Sequence, residues 1–165
     1  MSETLNYVGD GFEIKDGSLV IFNAEEYFGI DEFCDNNQGF CDVVIPDGVV
    51  SIGKGAFAGC SCIRSVVIPG DVASIEAEAF KNCRNLSSIC FSNEKKGCDG
   101  VKIIGREVFA GCVSLIELNI PNSVIFIGDG AFAGLKNLEL LTTPENLELS
   151  DSVWQPCSLK KLSND

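Results

Sequence analysis

"VVIPDGVVSIGKGAFAGCSCIRS" (residues 43–65) runs without a gap into "VVIPGDVASIEAEAFKNCRNLSS" (66–88). Laid on each other, the two 23-residue stretches share an opening Val-Val-Ile-Pro, a central Ser-Ile, an Ala-Phe pair and a Cys three residues beyond it. The phrase returns at 89–117, lengthened to 29 residues by six extra ones in the polar "NEKKGCDG" region, and again at 118–140 with 23. A fifth version, 141–161, is frayed: Trp154 takes the Phe place, Cys157 the Cys place, and Ser150 falls where the other units have a core Ile. Self-similarity at a period of 20–50 residues marks a repeat architecture, in which one unit is one supersecondary element.

Each unit reads as one coil. Alternation at its start (Val66 and Ile68, Leu118 and Ile120) is that of a short strand with one buried face. Proline at 46, 69, 121 and 144 ends the strand, because it fixes φ and has no amide hydrogen for a ladder. Gly pairs turn the chain, Ile52, Ile75, Ile104 and Ile127 re-enter the core, and the Ala-Phe segment is expected to make a helical or 3-10 turn. A single coil cannot bury its apolar side. Stacking coils with strands about 4.8 Å apart gives a continuous core, with Phe57, Phe80, Phe109, Phe132 and Trp154 as an aromatic ladder. Cys60, Cys83, Cys112 and Cys157 run beside it as small buried hydrophobes. Unit three has Ser92 in place of the proline, and unit four has Leu135 in place of the ladder Cys.

The pattern I-P-x-x-V-x-x-I-G-x-x-A-F-x-x-C-x-x-L, written here as "IPDGVVSIGKGAFAGCSCI" (45–63) and "IPNSVIFIGDGAFAGLKNL" (120–138), resembles the BspA-like leucine-rich repeats, over roughly 43–162. The stretch "FEIKDGSLVIF" (12–22) resembles the segment that often opens such domains. The resemblance implies a curved leucine-rich-repeat solenoid, a β-rich right-handed coil with short helical or 3-10 turns. It would be a single domain with residues 1–42 as N-terminal cap and 43–165 as about five repeats, the third with the insertion and the last degenerate. It also implies a cell-surface or secreted protein that adheres to a host surface or matrix protein.

Composition narrows the function. A formal charge of −12 with no basic cluster repels phosphate backbones, so nucleic acid is not an expected partner. The absence of histidine removes Ser-His and Cys-His dyads and the usual general base near neutral pH. No apolar run reaches the roughly 20 residues that span a bilayer. The opening "MSETLNYVGDG" lacks the basic and apolar regions of a secretory leader, which leaves a cytoplasmic location open beside the one the resemblance implies.

Weaker motifs add little. "IGKGAFAG" and "IGDGAFAG" have G-x-G-x-x-x-G spacing, one residue too long for a dinucleotide loop, and belong to the repeat. Of the nine cysteines, Cys34, Cys41, Cys62, Cys90 and Cys98 lie off the ladder. A Cys34–Cys41 bridge is conceivable, whereas a metal site would need four converging ligands and no pair of C-x-x-C knuckles supplies them. "NLS" (85–87) fits the N-glycosylation rule. "DNNQG" (35–39) reads as a solvated turn, since it lacks the spaced carboxylates of a calcium loop. No cofactor is expected.

Strand alternation then places a binding strip. With Val66 and Ile68 inward, Ser65 and Val67 face outward on the concave side. The same register gives Asp42 and Val44, Ser88 and Cys90, Glu117 and Asn119, and Leu140 and Thr142. Val44, Val67 and Cys90 make an apolar lane flanked by Asp42 and Glu117, the kind of surface that contacts another protein, although β-branched residues also simply favour strands. The insertion loop 92–100 is a second candidate. The expected function is non-catalytic protein recognition of the adhesion type. The alternatives are an intracellular repeat scaffold, suggested by the cysteines off the ladder, and an enzyme using carboxylates such as Asp42 and Glu117.

Overall fold

The computed structural model describes residues 7–9, 12–15, 18–20, 41–92 and 100–154. The chain enters through an antiparallel meander, β1 (Tyr7–Gly9), β2 (Phe12–Lys15) and β3 (Ser18–Val20). Each later coil contributes a longer strand and a two-residue strand: β4 (Cys41–Val44) with β5 (Ser51–Ile52), β6 (Ile63–Pro69) with β7 (Ser74–Ile75), and β8 (Ser88–Ser92) with β9 (Ile103–Ile104). Strands β10 (Glu117–Asn119) and β11 (Phe126–Ile127) follow, then β12 (Leu140–Thr142) and one 3-10 turn, Asp151–Trp154.

Like strands pair with like, in parallel. The short ones continue the meander into a seven-stranded sheet, β1-β2-β3-β5-β7-β9-β11, while the longer ones form β4-β6-β8 and, separately, β10-β12. Register follows the repeat: Ser51 lies opposite Ser74, Ser74 opposite Ile103 across the insertion, and Ile103 opposite Phe126. The molecule is a parallel β-solenoid with almost no helix, as the repeat requires.

The core runs along the stack. Ile52, Ile75 and Ile104 are fully buried, as are Val66, Ile68, Leu118 and Ile120 to within a few per cent. Phe57 and Phe80 stack with ring centroids 5.0 Å apart and planes 2° from parallel, and Phe80 and Phe109 follow at 6.0 Å and 13°. Trp154 closes the file against Phe132 at 5.3 Å, its ring tilted by 51°. The sulfur ladder does more than fill space. Cys83 Sγ donates to the carbonyl of Phe57 at 2.9 Å and Cys112 Sγ to that of Phe80 at 3.0 Å, so each thiol meets a backbone acceptor one coil back. The neighbouring Cys112 thiol and burial push the Cys83 thiol far up, and it stays protonated. Leu135 fills the same place in the next coil and is equally buried.

Of the expected helical or 3-10 turn, the Ala-Phe segments take the tighter form without becoming regular helix. They are chains of turns closed by i to i+3 bonds, such as Cys60 N to Phe57 O and Cys83 N to Phe80 O. Helix cannot propagate there because two positions per coil are left-handed. The first holds Gly55, Glu78, Glu107 and Gly130, and the second holds Gly59, Asn82, Gly111 and Gly134, all with φ between 53° and 78°. These residues aim amides along the stack instead: Phe57 N donates to Ala79 O, Phe80 N to Val108 O and Phe109 N to Ala131 O. The prolines punctuate as expected, and each carbonyl of Pro46, Pro69, Pro121 and Pro144 also accepts the amide three residues on.

One sequence expectation is corrected. In the last coil Leu149, not residue 150, packs on the core, and Ser150 is exposed. Gly130 N bonds to Ser152 O with the offset of the earlier coils, whereas Phe132 N bonds to Val153 O where that offset would use Trp154, so the coil is one residue short at Ser152–Val153. Among the cysteines off the ladder, whose redox state the sequence leaves open, Cys62 is disulfide-bonded and Cys90 is free and exposed. Cys34 of the Cys34–Cys41 pair, Cys98, Cys157 and "DNNQG" lie outside the described residues.

Candidate functional site

The longer strands present the strip, because their inward residues are fixed by the core and alternation leaves the rest outside. Asp42, Ser65 and Ser88 stand abreast on β4, β6 and β8, and Val44, Val67 and Cys90 form the next file. Glu117 stands beside Leu140 and Asn119 beside Thr142. Eight of these ten residues are exposed, and Ser65 and Val67 are half-buried. The structure therefore brings the first six together and the last four together, in two sheets rather than one ladder. The break falls at the coil that carries the insertion, whose residues 93–99 are outside the described set.

The two patches have different chemistry. In the first, Ser65 Oγ donates to Asp42 Oδ1 at 2.7 Å and the Arg64 guanidinium lies 3.6 Å from the other carboxylate oxygen. The serine bond first, and then Arg64, hold the Asp42 carboxyl below the usual aspartate range. Val44, 69 % exposed, sits one step along the same strand as an uncovered hydrocarbon beside Val67. In the second patch Asn119 Nδ2 donates to Glu117 Oε1 at 2.8 Å, next to Leu140 at 51 % exposure.

Asp42 and Glu117 do not converge. They lie on different sheets with β6 and β8 between them, about 14 Å apart at a strand spacing near 4.8 Å. Among the described residues no group of three or more His, Cys, Asp or Glu could hold a metal ion. No helix among them is long and apolar enough to cross a membrane. The "NLS" triplet has its Asn85 Nδ2 bonded to Ser61 O at 2.7 Å, so that nitrogen is already engaged in the folded chain.

Sequence reasoning missed the outer face of the short-strand sheet. Ile103, Ile125 and Phe126 are 44 %, 72 % and 56 % exposed. The signal was available: Ile103 and Phe126 occupy the place that holds serine in the two preceding coils, a change that core packing does not demand.

The geometry has clear relatives. The family model for the BspA type leucine rich repeat region matches residues 29–160 in six copies. A leucine rich cell surface protein from Faecalibacterium prausnitzii is 26 % identical with a TM-score of 0.53, the match covering 73 % of this chain and 36 % of that one. A leucine-rich repeat protein from Bacteroides ovatus is 28 % identical with a TM-score of 0.56, over 87 % of this chain and 43 % of that one. One from Bacteroides capillosus, at 24 % identity, has a TM-score of 0.59 over 85 % of this chain and 98 % of that one, and shares the fold. The chain thus spans about two fifths of the length of the first two. No curated protein matches it.

Proposed function

The chain belongs to the BspA-type leucine-rich-repeat family, and from that premise we propose that it is a non-catalytic recognition module that binds a partner protein through the outward strip of its longer strands. In this reading residues 1–42 cap the stack, 43–165 carry the repeats, and the concave side is the binding side. The observation that carries it is the lane of Val44 and Val67, apolar side chains set abreast, the first exposed and the second half-buried, and bordered by Asp42, Ser65 and Ser88. An apolar lane with a polar rim is the composition of a transient protein interface, and solenoids offer such continuous surfaces.

The partner class is an extracellular one, a host surface or matrix protein bound in adhesion. A cell-surface protein among the relatives supports this, and so does the disulfide at Cys62, because such bonds persist in oxidising compartments. The same disulfide weighs against the intracellular scaffold.

The test is Val44→Glu combined with Val67→Glu, measured by surface binding to immobilised extracellular-matrix protein and to cytosolic extract. Circular dichroism establishes that the double variant is folded. The expected outcome is saturable binding to matrix protein that falls at least tenfold in the variant, since burying one such side chain is worth about 1.5–3 kcal/mol. Undiminished binding by a folded variant would sink the strip.

A further inference from the structure

The strip is not the only uncovered apolar surface. Phe126 and Ile103 stand side by side on the parallel strands β11 and β9, and the same file continues through Ser74 and Ser51. Ser51 is buried and Ser74 half-buried, whereas Ile103 and Phe126 are exposed, so along the stack the file both opens to solvent and turns from hydroxyl to hydrocarbon. Serine in the earlier coils shows that folding does not require an apolar residue there, so the exposed rings and branches answer to something outside the fold. Beside them a groove of about 630 Å³ opens, its apolar wall made by Val124, Ile125, Pro144 and Leu147 and its edge carrying Glu145. Ile125, in the wall of the groove, is the chain neighbour of Phe126.

Charge decides what covers the face. Glu145 and Glu148 are exposed and make no ion pair among the described residues. Arg106 is held by Glu107 at 2.7 Å. The groove edge thus carries one unpaired carboxylate, with a second three residues along, on a chain of net charge −12 that repels its own copies. We propose that this face is a second docking surface, separate from the strip, for a segment of another protein in which an aliphatic or aromatic side chain is flanked by lysine or arginine. The apolar side chain enters the groove beside Ile125, and the cation meets Glu145 and Glu148. The two halves act differently: the carboxylates raise encounter rate and select against acidic segments, and the groove supplies the residence time.

The probe is a labelled peptide of alternating Leu and Lys, compared by fluorescence anisotropy with one of alternating Ser and Lys, at about 0.15 M salt. Equal charge in the two peptides isolates the groove. The intact chain is expected to prefer the Leu peptide by about tenfold, the factor that one buried apolar side chain supplies. Ile125→Ser with Phe126→Ser removes that preference, and Val44→Ser with Val67→Ser keeps it, which separates this surface from the strip. Glu145→Gln with Glu148→Gln weakens both peptides. Equal affinity for the two peptides overturns the proposal, and so does a preference that survives in Ile125→Ser/Phe126→Ser. A dimer of the intact chain that this double variant abolishes also overturns it, since the occupant would then be a second copy. Should the double variant not fold, Ile125→Ser alone, in the wall of the groove, gives the same reading.

Discussion

A backbone angle explains why the repeated phrase is built from small residues. Two before each ladder Phe the chain is left-handed, at Gly55, Glu78, Glu107 and Gly130, with φ of 65°, 62°, 53° and 66°. A side chain there costs about 1–2 kcal/mol through its Cβ and the following carbonyl, and glycine escapes that cost. A Cβ on Gly55 would meet nothing closer than 4.0 Å, so Gly55→Ala isolates the backbone effect. We expect it to lower unfolding free energy by about 1 kcal/mol, read from urea denaturation at pH 7. Glu78→Gly is the reverse experiment. Its carboxylate reaches Lys81 only at 3.5 Å, a pair worth little, so the variant should gain about 0.5 kcal/mol. Glu107→Gly should gain nothing, because Glu107 holds Lys81 at 2.6 Å and Arg106 at 2.7 Å. Lys81 first, then Arg106, draw its carboxyl below the usual glutamate range. Its contribution is therefore complete above the ordinary value of about 4.3 and fades as pH falls through the lower folded value. An unchanged or higher stability in Gly55→Ala would remove the backbone account.

One coil as an element lives on its neighbours' rings. Phe80 is 1 % exposed and sandwiched at 5.0 and 6.0 Å, so Phe80→Ala opens a cavity that two flanking rings cannot close. The expected cost is about 3–5 kcal/mol, measured by thermal or denaturant unfolding, and a cost below about 1 kcal/mol would show that the ladder does not carry the core. This element was legible because period, proline and phenylalanine are all local signals that recur, and recurrence fixes which residues stack. What stayed illegible depended on partners or angles. The choice between helical and 3-10 turns stayed open over the Ala-Phe segments because nothing in "EAF" (78–80) or "EVF" (107–109) announces a left-handed glutamate. The shortness of the last coil was legible in Trp154 taking the Phe place one residue early, but where the residue is missing was not, since only the bonds from Gly130 to Ser152 and from Phe132 to Val153 set it. Strip residues could be placed by alternation alone, since core and surface residues take turns along a strand. The break between β8 and β10 could not, because it depends on how the longer coil carries its extra residues. Ile125 escaped notice because it lies where the chain enters a two-residue strand, too short for alternation to assign a face.

Taken whole, the molecule is a row of coils in which each coil touches only those beside it, and its stability depends on how strongly neighbours open together. The thiols read this out without any substitution. Cys90 is free and exposed, whereas Cys83 and Cys112 are free and fully buried in successive coils, with their sulfurs bonded to the carbonyls of Phe57 and Phe80. Alkylation requires the thiolate, and a buried, protonated thiol yields one only when its coil opens. Because Cys112 leans on the coil of Phe80, and Cys83 leans on that of Phe57, exposing either sulfur breaks contacts in the coil before it. Opening at one rung is thereby tied to opening at the next. In timed iodoacetamide labelling with peptide-level mass spectrometry, Cys90 should react at the rate of a free thiol. Cys83 and Cys112 should follow together, slower by a factor of about a thousand or more, as befits an opening that costs upwards of about 4 kcal/mol. A tenfold gap between Cys83 and Cys112 would mean that coils open singly, and the two docking faces would then sit on independently yielding segments. A common rate means that both faces are displayed on one rigid bar, so that a ligand on either stabilises the whole stack by mass action.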